Sequence, residues 1–152
     1  MRTSLVLLAL VVAGPQFATP RGTVAFPDGP TVRVEIAATE AVRQRGLMFR
    51  SSLGERDGML FIFEQSGVYP FWMQNCLIPL DILWIDASSR IASISAGVPP
   101  CRKPGCDPPC AANDCPTYAP TPGTRAKFVL EVAAGFTAKH KIAVGHAVKI
   151  QR

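Results

Sequence analysis

The chain has 152 residues, a formal net charge of +5 and a hydrophobic fraction of 48%. This length suits one ordinary domain with a single core. The basic residues are scattered and form no stripe interleaved with aromatic residues, so the composition predicts no nucleic-acid partner. No segment beyond the first twenty residues is long and apolar enough to span a membrane.

The N-terminus predicts an export signal over residues 1–20. Arg2 supplies the positive charge, an apolar stretch runs from Leu5 to Ala13, and small residues follow. The apolar stretch is shorter than the roughly 20 residues of a spanning helix, and the alternative is an uncleaved N-terminal anchor. We therefore expect an exported protein, periplasmic or extracellular, that touches the membrane only through its signal segment.

The remaining residues, 22–152, predict one mainly β domain. Short apolar or alternating segments predict strands at 22–26, 31–37, 58–63, 68–73, 78–86, 90–98, 127–132 and 142–150. Thr39 can cap a short helix near 39–45, which Gly46 would end, and one or two helical turns fit within 133–140. Many short strands with Gly and Pro turns indicate a single-domain sandwich or barrel.

A loop rich in proline and cysteine covers residues 99–122. It carries four cysteines, Cys101, Cys106, Cys110 and Cys115. In an exported protein such cysteines predict disulfides, and their spacing suits a zinc site poorly. Three connectivities are open; the favoured one nests Cys106–Cys110 inside Cys101–Cys115. Cys76 is then left over, and its apolar surroundings predict a buried free thiol.

The most informative segment is residues 69–86, an apolar and aromatic run interrupted by polar side chains. Asn75 and Asp81 need partners there, because burying an unpaired polar group costs roughly 1–3 kcal/mol. One interpretation is a binding site formed by Trp72, Asn75, Asp81 and Arg45. An aromatic plane beside an amide and charged groups can hold a polar small molecule or an envelope component. The alternative is internal pairing, with Asp81 bound to Arg45 and Trp72 in the core.

Two rival functions remain open. A cell-envelope hydrolase would use Asp81 with His140 or His146, although no known catalytic motif is present. A Cu(I)-binding protein would use Met48, Met59 and Met73, although scattered methionines more often fill gaps in a core. We therefore assign no cofactor and no catalytic residue, and we expect a monomeric accessory or ligand-binding module.

Several segments resemble the bacterial and archaeal family known as domain of unknown function 192. These are TEAVRQRGLMFR at 39–50, GMLF at 58–61, FWMQN at 71–75, IPLD at 78–81, VLE at 129–131 and VG at 144–145. The resemblance implies a mainly β fold and an export signal, and it carries no activity to transfer. The chain departs from the family in having Cys76 where threonine is usual, and in a longer 99–122 loop with an extra cysteine pair.

Overall fold

A computed structural model of the protein describes residues 19–101, 111 and 114–152. The described chain is mainly β, as predicted, and two short helices accompany the strands. The strands are β1 Arg21–Ala25, β2 Thr31–Ala37, β3 Asp57–Gly67, β4 Phe71–Trp72, β5 Leu80–Ile85, β6 Ile91–Val98, β7 Thr117–Tyr118, β8 Ala126–Ala133 and β9 Lys149–Gln151; the helices are α1 Glu40–Arg45 and α2 Phe136–Lys139. No helix in the described part of the chain is long and apolar enough to cross a membrane.

Seven of the strands form one mixed sheet in the order β6-β5-β8-β3-β2-β1-β9, and β4 pairs with β7 in a second small sheet. β2 and β3 are parallel and are joined through α1, while the other neighbours are antiparallel. A single bridge between Arg90 and Ala147 brings the two edges of the large sheet together. The sheet is therefore curled, but the described strands do not close into a barrel.

The predicted helix near 39–45 is confirmed as α1. The hydroxyl oxygen of Thr39 accepts a hydrogen bond from the backbone N–H of Val42 at 3.4 Å. Gly46 follows the last turn with a φ of 48°, and its N–H donates to the Val42 carbonyl. A side chain at position 46 would be strained at this φ, so glycine ends the helix at this point.

Two predicted strands are much shorter than expected. Only Phe71–Trp72 of the 68–73 segment is a strand, and only Lys149–Gln151 continues the 142–150 segment. Residues 145–148 instead form irregular hydrogen bonds with Ser89 and with Ile91 at the start of β6, including Gly145 N–H to the Ile91 carbonyl at 2.7 Å. The small strand β7 was not predicted, because it lies within the proline-rich loop.

Apolar clusters cover both faces of the large sheet. The inner cluster fills the curl and includes Leu60, Leu83, Ile85, Leu130, Val132 and, from α2, Phe136. The outer cluster lies between the sheet and the segment carrying α1 and β4, and it includes Met59, Phe61, Met73, Cys76, Ile82, Trp84 and Val129. Alternate residues of β5 and β8 therefore point into different clusters. Polar side chains on opposite faces of these strands cannot contact each other.

The cysteines follow the predicted pattern where the structure describes them. Cys101 and Cys115 form a disulfide with their Cα atoms 5.5 Å apart. Cys76 is free and buried. Cys106 and Cys110 lie outside the described residues, so the inner bridge stays a prediction.

Candidate functional site

Asp81 is held entirely by neighbouring donors. Its side chain is 0% exposed. Oδ1 accepts from the backbone N–H of Gly97 at 2.8 Å and of Gly135 at 3.2 Å. Oδ2 accepts from the N–H of Thr137 at 2.9 Å and from its hydroxyl at 2.6 Å. The carboxylate therefore ties the bulge in β6 to the start of α2.

This placement separates Asp81 from the other residues that were predicted to share its site. Asp81 lies on the same face of β5 as Leu83, which belongs to the inner cluster, and opposite to Ile82 in the outer cluster. The alternative in which Asp81 pairs with Arg45 is therefore wrong, although Asp81 is paired within the protein. Its partners are backbone N–H groups and a hydroxyl, which satisfy a buried carboxylate without a second charge.

The hydrolase arrangement is not formed either. Nε2 of His140 lies 3.3 Å from Oε1 of Glu55, and Nδ1 of His146 accepts from the N–H of Ala143 at 3.4 Å. Asp81 has its acceptor positions occupied, as described above. It is thus a structural carboxylate and not a general base, because a base needs a free lone pair facing a cleft.

An open cleft of about 250 Å³ lies on the other side of the sheet, between α1 and β4. We call it the α1 cleft. Five aromatic side chains form one part of its lining: Phe61, Phe63, Tyr69, Phe71 and Trp72. The other lining residues are Glu40, Arg43, Gln44 and Arg45 of α1, then Gly46, Leu47, Met48, Pro70 and Gln74, with the buried Cys76 and Glu131. Arg45 and Trp72 of the predicted site therefore share this cleft, and Asp81 lies on the opposite face of the sheet.

The two arginines at the edge of the cleft differ in their contacts. Arg43 donates to the carbonyls of Ala38 and Ile62 at 2.7 and 2.9 Å and forms an ion pair with Glu40 at 3.0 Å. Its guanidinium carbon lies 5.3 Å from the ring centre of Phe63. Arg45 is exposed, and its guanidinium has no hydrogen bond or ion pair within the described residues. Arg43 is structural, and Arg45 is available to a ligand.

Trp72 and Asn75 lie at different depths beside the cleft. Trp72 is 39% exposed, so the alternative that places it in the core is wrong. Asn75 is buried, and its amide donates to Sδ of Met48 at 3.7 Å. Its φ of 54° is left-handed, a conformation that asparagine tolerates better than most residues. Asn75 thus shapes the loop that carries Met48 and is not among the residues lining the cleft.

Glu131 is the acidic group deepest in the cleft. It lies on β8 between Met59 of β3 and Ile82 of β5, and it is 3% exposed. Its Oε2 atom has no hydrogen-bond partner within the described residues. Burial raises the pKa of Glu131 to about 8, because the apolar surroundings penalise the charged carboxylate. At neutral pH it is mainly a neutral carboxylic acid that can donate one hydrogen bond.

Cys76 lies near Glu131 and is kept protonated. Burial, and then the nearby Glu131 carboxyl, raise the pKa of the Cys76 thiol to about 12. A thiol in this state is a poor nucleophile and a poor metal ligand at neutral pH. No group of three His, Cys, Asp or Glu residues in the described ranges could hold a metal ion.

The three methionines of the copper hypothesis occupy two settings. Met59 and Met73 are 2% and 0% exposed and pack in the outer cluster. Met48 lines the α1 cleft. Two of the three thus have the surroundings of core methionines, and copper binding stays a prediction.

Comparison with known proteins places the chain in a family. The family model described as DUF192, uncharacterized ACR, COG1430, matches residues 23–150. The chain belongs to the DUF192 family. A comparison with curated proteins found no match.

Two solved structures have a fold similar to that of this DUF192 chain. One is a protein from Sinorhizobium meliloti 1021 proposed to be a transcription regulator, with a TM-score of 0.74 and 24% identity over 90% of this chain and 98% of that one. The other is a protein of unknown function from Novosphingobium aromaticivorans DSM 12444, with a TM-score of 0.70 and 29% identity over 98% of both chains. The similarity at 24% identity supports the fold alone.

Within this DUF192 fold, the sequence-based interpretation missed Glu131 as a site residue. The alternation along β8 places Glu131 on the same side as Lys127 and Val129, which is the pattern of a strand with one solvent-facing side. In the structure this side is covered by the outer cluster, and Val129 is 0% exposed. The available signal was a single acidic residue in a strand that is otherwise almost entirely apolar.

Proposed function

We propose that the protein is an exported, non-enzymatic binding module whose α1 cleft holds a small molecule. The observation that supports this most directly is Glu131, a buried carboxyl that lines the cleft and whose buried Oε2 atom has no hydrogen-bond partner within the described residues. An unsatisfied buried polar group costs roughly 1–3 kcal/mol. A ligand that forms a hydrogen bond with the Glu131 carboxyl would recover part of that cost.

The chemistry of the cleft favours binding over catalysis. The Cys76 thiol near Glu131 is protonated because its pKa is about 12, so it supplies neither a thiolate nucleophile nor a base at neutral pH. Aromatic walls with a few polar groups are typical of ligand sites. Trp72 at the mouth offers a face on which a planar ligand can stack.

Blocking the cleft should abolish ligand binding. Gln44 is exposed on α1 and lines the cleft, so Gln44→Trp would place an indole over it; the change also removes a hydrogen bond to Glu40, worth only about 0.2–0.5 kcal/mol. We would record protein NMR spectra with a panel of neutral, anionic and cationic aromatic fragments. Fragments should shift the Trp72 indole and Gly46 amide signals in the unmodified protein and not in Gln44→Trp.

The matched control is Gln65→Trp, which makes the same substitution at an exposed position of β3 outside the cleft. It should leave every fragment-induced shift unchanged. Shifts that survive in Gln44→Trp, or a panel that perturbs no cleft signal at all, would contradict the proposal.

Export is proposed from the signal pattern of residues 1–20 and is supported by the Cys101–Cys115 bridge. Structural disulfides persist in oxidising compartments and are rare in the cytosol. Full-length protein produced in a bacterial host should be recovered from the periplasm or medium with its N-terminal segment removed. Recovery only from the cytoplasm, with Met1 retained by mass spectrometry, would contradict export.

A further inference from the structure

Building on the proposed function, we infer that the α1 cleft binds an amphipathic organic anion: a planar apolar body with a hydrogen-bond acceptor at its inner end and a carboxylate at its outer end. Glu131 would bind the inner end and Arg45 the outer end. The aromatic side chains between them would hold the body.

The inner end of the cleft is built to donate a hydrogen bond. The neighbours of Glu131 across the sheet are Met59 and Ile82, and neither forms a hydrogen bond with its Oε2 atom. A buried carboxyl in such surroundings holds its proton and presents an O–H. The Cys76 thiol beside it is also protonated and adds a second, weak donor. A carbonyl or similar neutral acceptor is the complement to these groups.

The walls select a flat apolar body. Phe61 and Phe71 meet edge to face with ring centres 4.8 Å apart, and Phe71 makes a similar contact with Trp84 at 6.2 Å. These contacts fix the orientation of the Phe71 ring, so the wall is preorganised. A rigid aromatic wall favours a planar ligand because little side-chain freedom is lost on binding.

The outer end carries one uncompensated positive charge. Glu40 and Arg43 form an ion pair at 3.0 Å, and their charges offset each other. Arg45 at the same edge has no such partner in the described part of the chain. A guanidinium binds a carboxylate through two parallel hydrogen bonds, so an anionic group at the mouth is favoured over a cationic one.

The probe for the test is 4-acetamidobenzoate, which has an aromatic ring, a carbonyl at one end and a carboxylate at the other. Its dissociation constant would be measured by NMR titration at pH 7, beside 4-acetamidobenzamide and 4-acetamidobenzylamine. Exposed ion pairs contribute about 0.2–1 kcal/mol, so the carboxylate should bind up to about fivefold more tightly than the amide. The amine should bind most weakly.

Two arginine variants test whether Arg45 is the residue that favours the carboxylate probe over the amide. Arg45→Gln should remove the advantage of the carboxylate over the amide. Arg56→Gln is the matched control, because Arg56 is also exposed and lies outside the α1 cleft, and it should keep the full difference. If both variants lose the affinity difference between carboxylate and amide equally, the preference comes from the overall positive charge of the protein. That result would overturn the role of Arg45.

The pH dependence tests the inner end. As pH rises from 7 to 9, Glu131 with a pKa of about 8 loses its proton, and affinity for the probe should fall about tenfold. The other titratable or charged groups facing the cleft are Cys76, whose pKa is about 12, Glu40, whose pKa is lowered by Arg43 and Gln44, and the guanidinium groups of Arg43 and Arg45. The Tyr69 hydroxyl is bonded to the Gln65 carbonyl.

Glu131→Gln keeps a hydrogen-bond donor at this position but removes the group that loses a proton between pH 7 and 9. The glutamine amide donates a hydrogen bond and does not ionise. The variant should bind the probe with little pH dependence between 7 and 9. Tighter binding at higher pH, or preference for the amine, would overturn the inference in favour of a cationic ligand. If panel fragments bind in the cleft while 4-acetamidobenzoate does not, this inference fails and the proposed function stands; if nothing binds there, both fail.

Discussion

The protein should lose stability as pH rises from about 4.5 to about 8, and Glu131→Gln should abolish that loss. The pKa of Glu131 is about 8 in the folded protein against 4.5 as its ordinary value. Between these values the folded state holds a proton that the unfolded state has released. The stability that this proton confers is complete below pH 4.5 and is lost as pH rises through 8. A difference of this size corresponds to a change on the order of 4–5 kcal/mol.

Urea unfolding at intervals from pH 4.5 to 8.5 would measure this change. The two proteins should have similar unfolding free energies near pH 4.5, and Glu131→Gln should be the more stable near pH 8. Glu55→Gln serves as control, because Glu55 is exposed and its pKa is lowered by Lys139, so this variant should retain the fall in stability. Parallel curves for the unmodified protein and Glu131→Gln would mean that Glu131 is solvated or paired.

Replacing Asp81 should destabilise the fold severely. Asp81→Ala leaves four donors without their acceptor, namely the N–H groups of Gly97, Gly135 and Thr137 and the Thr137 hydroxyl. The two Thr137 donors are buried, whereas the N–H groups of Gly97 and Gly135 are part-buried. Each buried unsatisfied donor costs roughly 1–3 kcal/mol, so we expect a total loss above about 3 kcal/mol. Chemical denaturation followed by tryptophan fluorescence would measure the loss.

Thr137→Val is the graded control for Asp81→Ala. It removes only the hydroxyl bond to Oδ2, and we expect it to cost about 1–2 kcal/mol. Because Asp81 faces the inner cluster and the α1 cleft lies on the other face of the sheet, Thr137→Val should bind cleft ligands with unchanged affinity. An unfolding free energy for Asp81→Ala within 0.5 kcal/mol of the unmodified protein would contradict the structural role of Asp81.

Local sequence signals predicted the elements whose structure depends on local chemistry. The cap at Thr39, the glycine at Gly46 and the alternation of β2 Thr31–Ala37 each appear where the residue types place them. The failures are segments whose structure depends on distant partners. Residues 142–148 have strand-like composition, but they pair irregularly with Ser89 and Ile91 and form only a short strand at β9.

The candidate site was predicted only in part for the same reason. Trp72 and Arg45 were chosen for their side-chain chemistry, and they do line one cleft. Asp81 was chosen as a polar residue in an apolar run, but its partners on β6 and α2 are distant in sequence and could not be inferred. Glu131 resembled a surface residue because periodicity reports which face of a strand it occupies, and it does not report what covers that face.

The most direct test of the account is a carbon-13 NMR titration of the Glu131 side-chain carboxyl, assigned by comparison with Glu131→Gln. We predict an apparent pKa of about 8, and a further rise when 4-acetamidobenzoate is added, because a ligand that accepts the carboxyl proton stabilises the protonated form. A pKa near 4.5 that the probe leaves unchanged would contradict both the buried neutral acid and its role in binding.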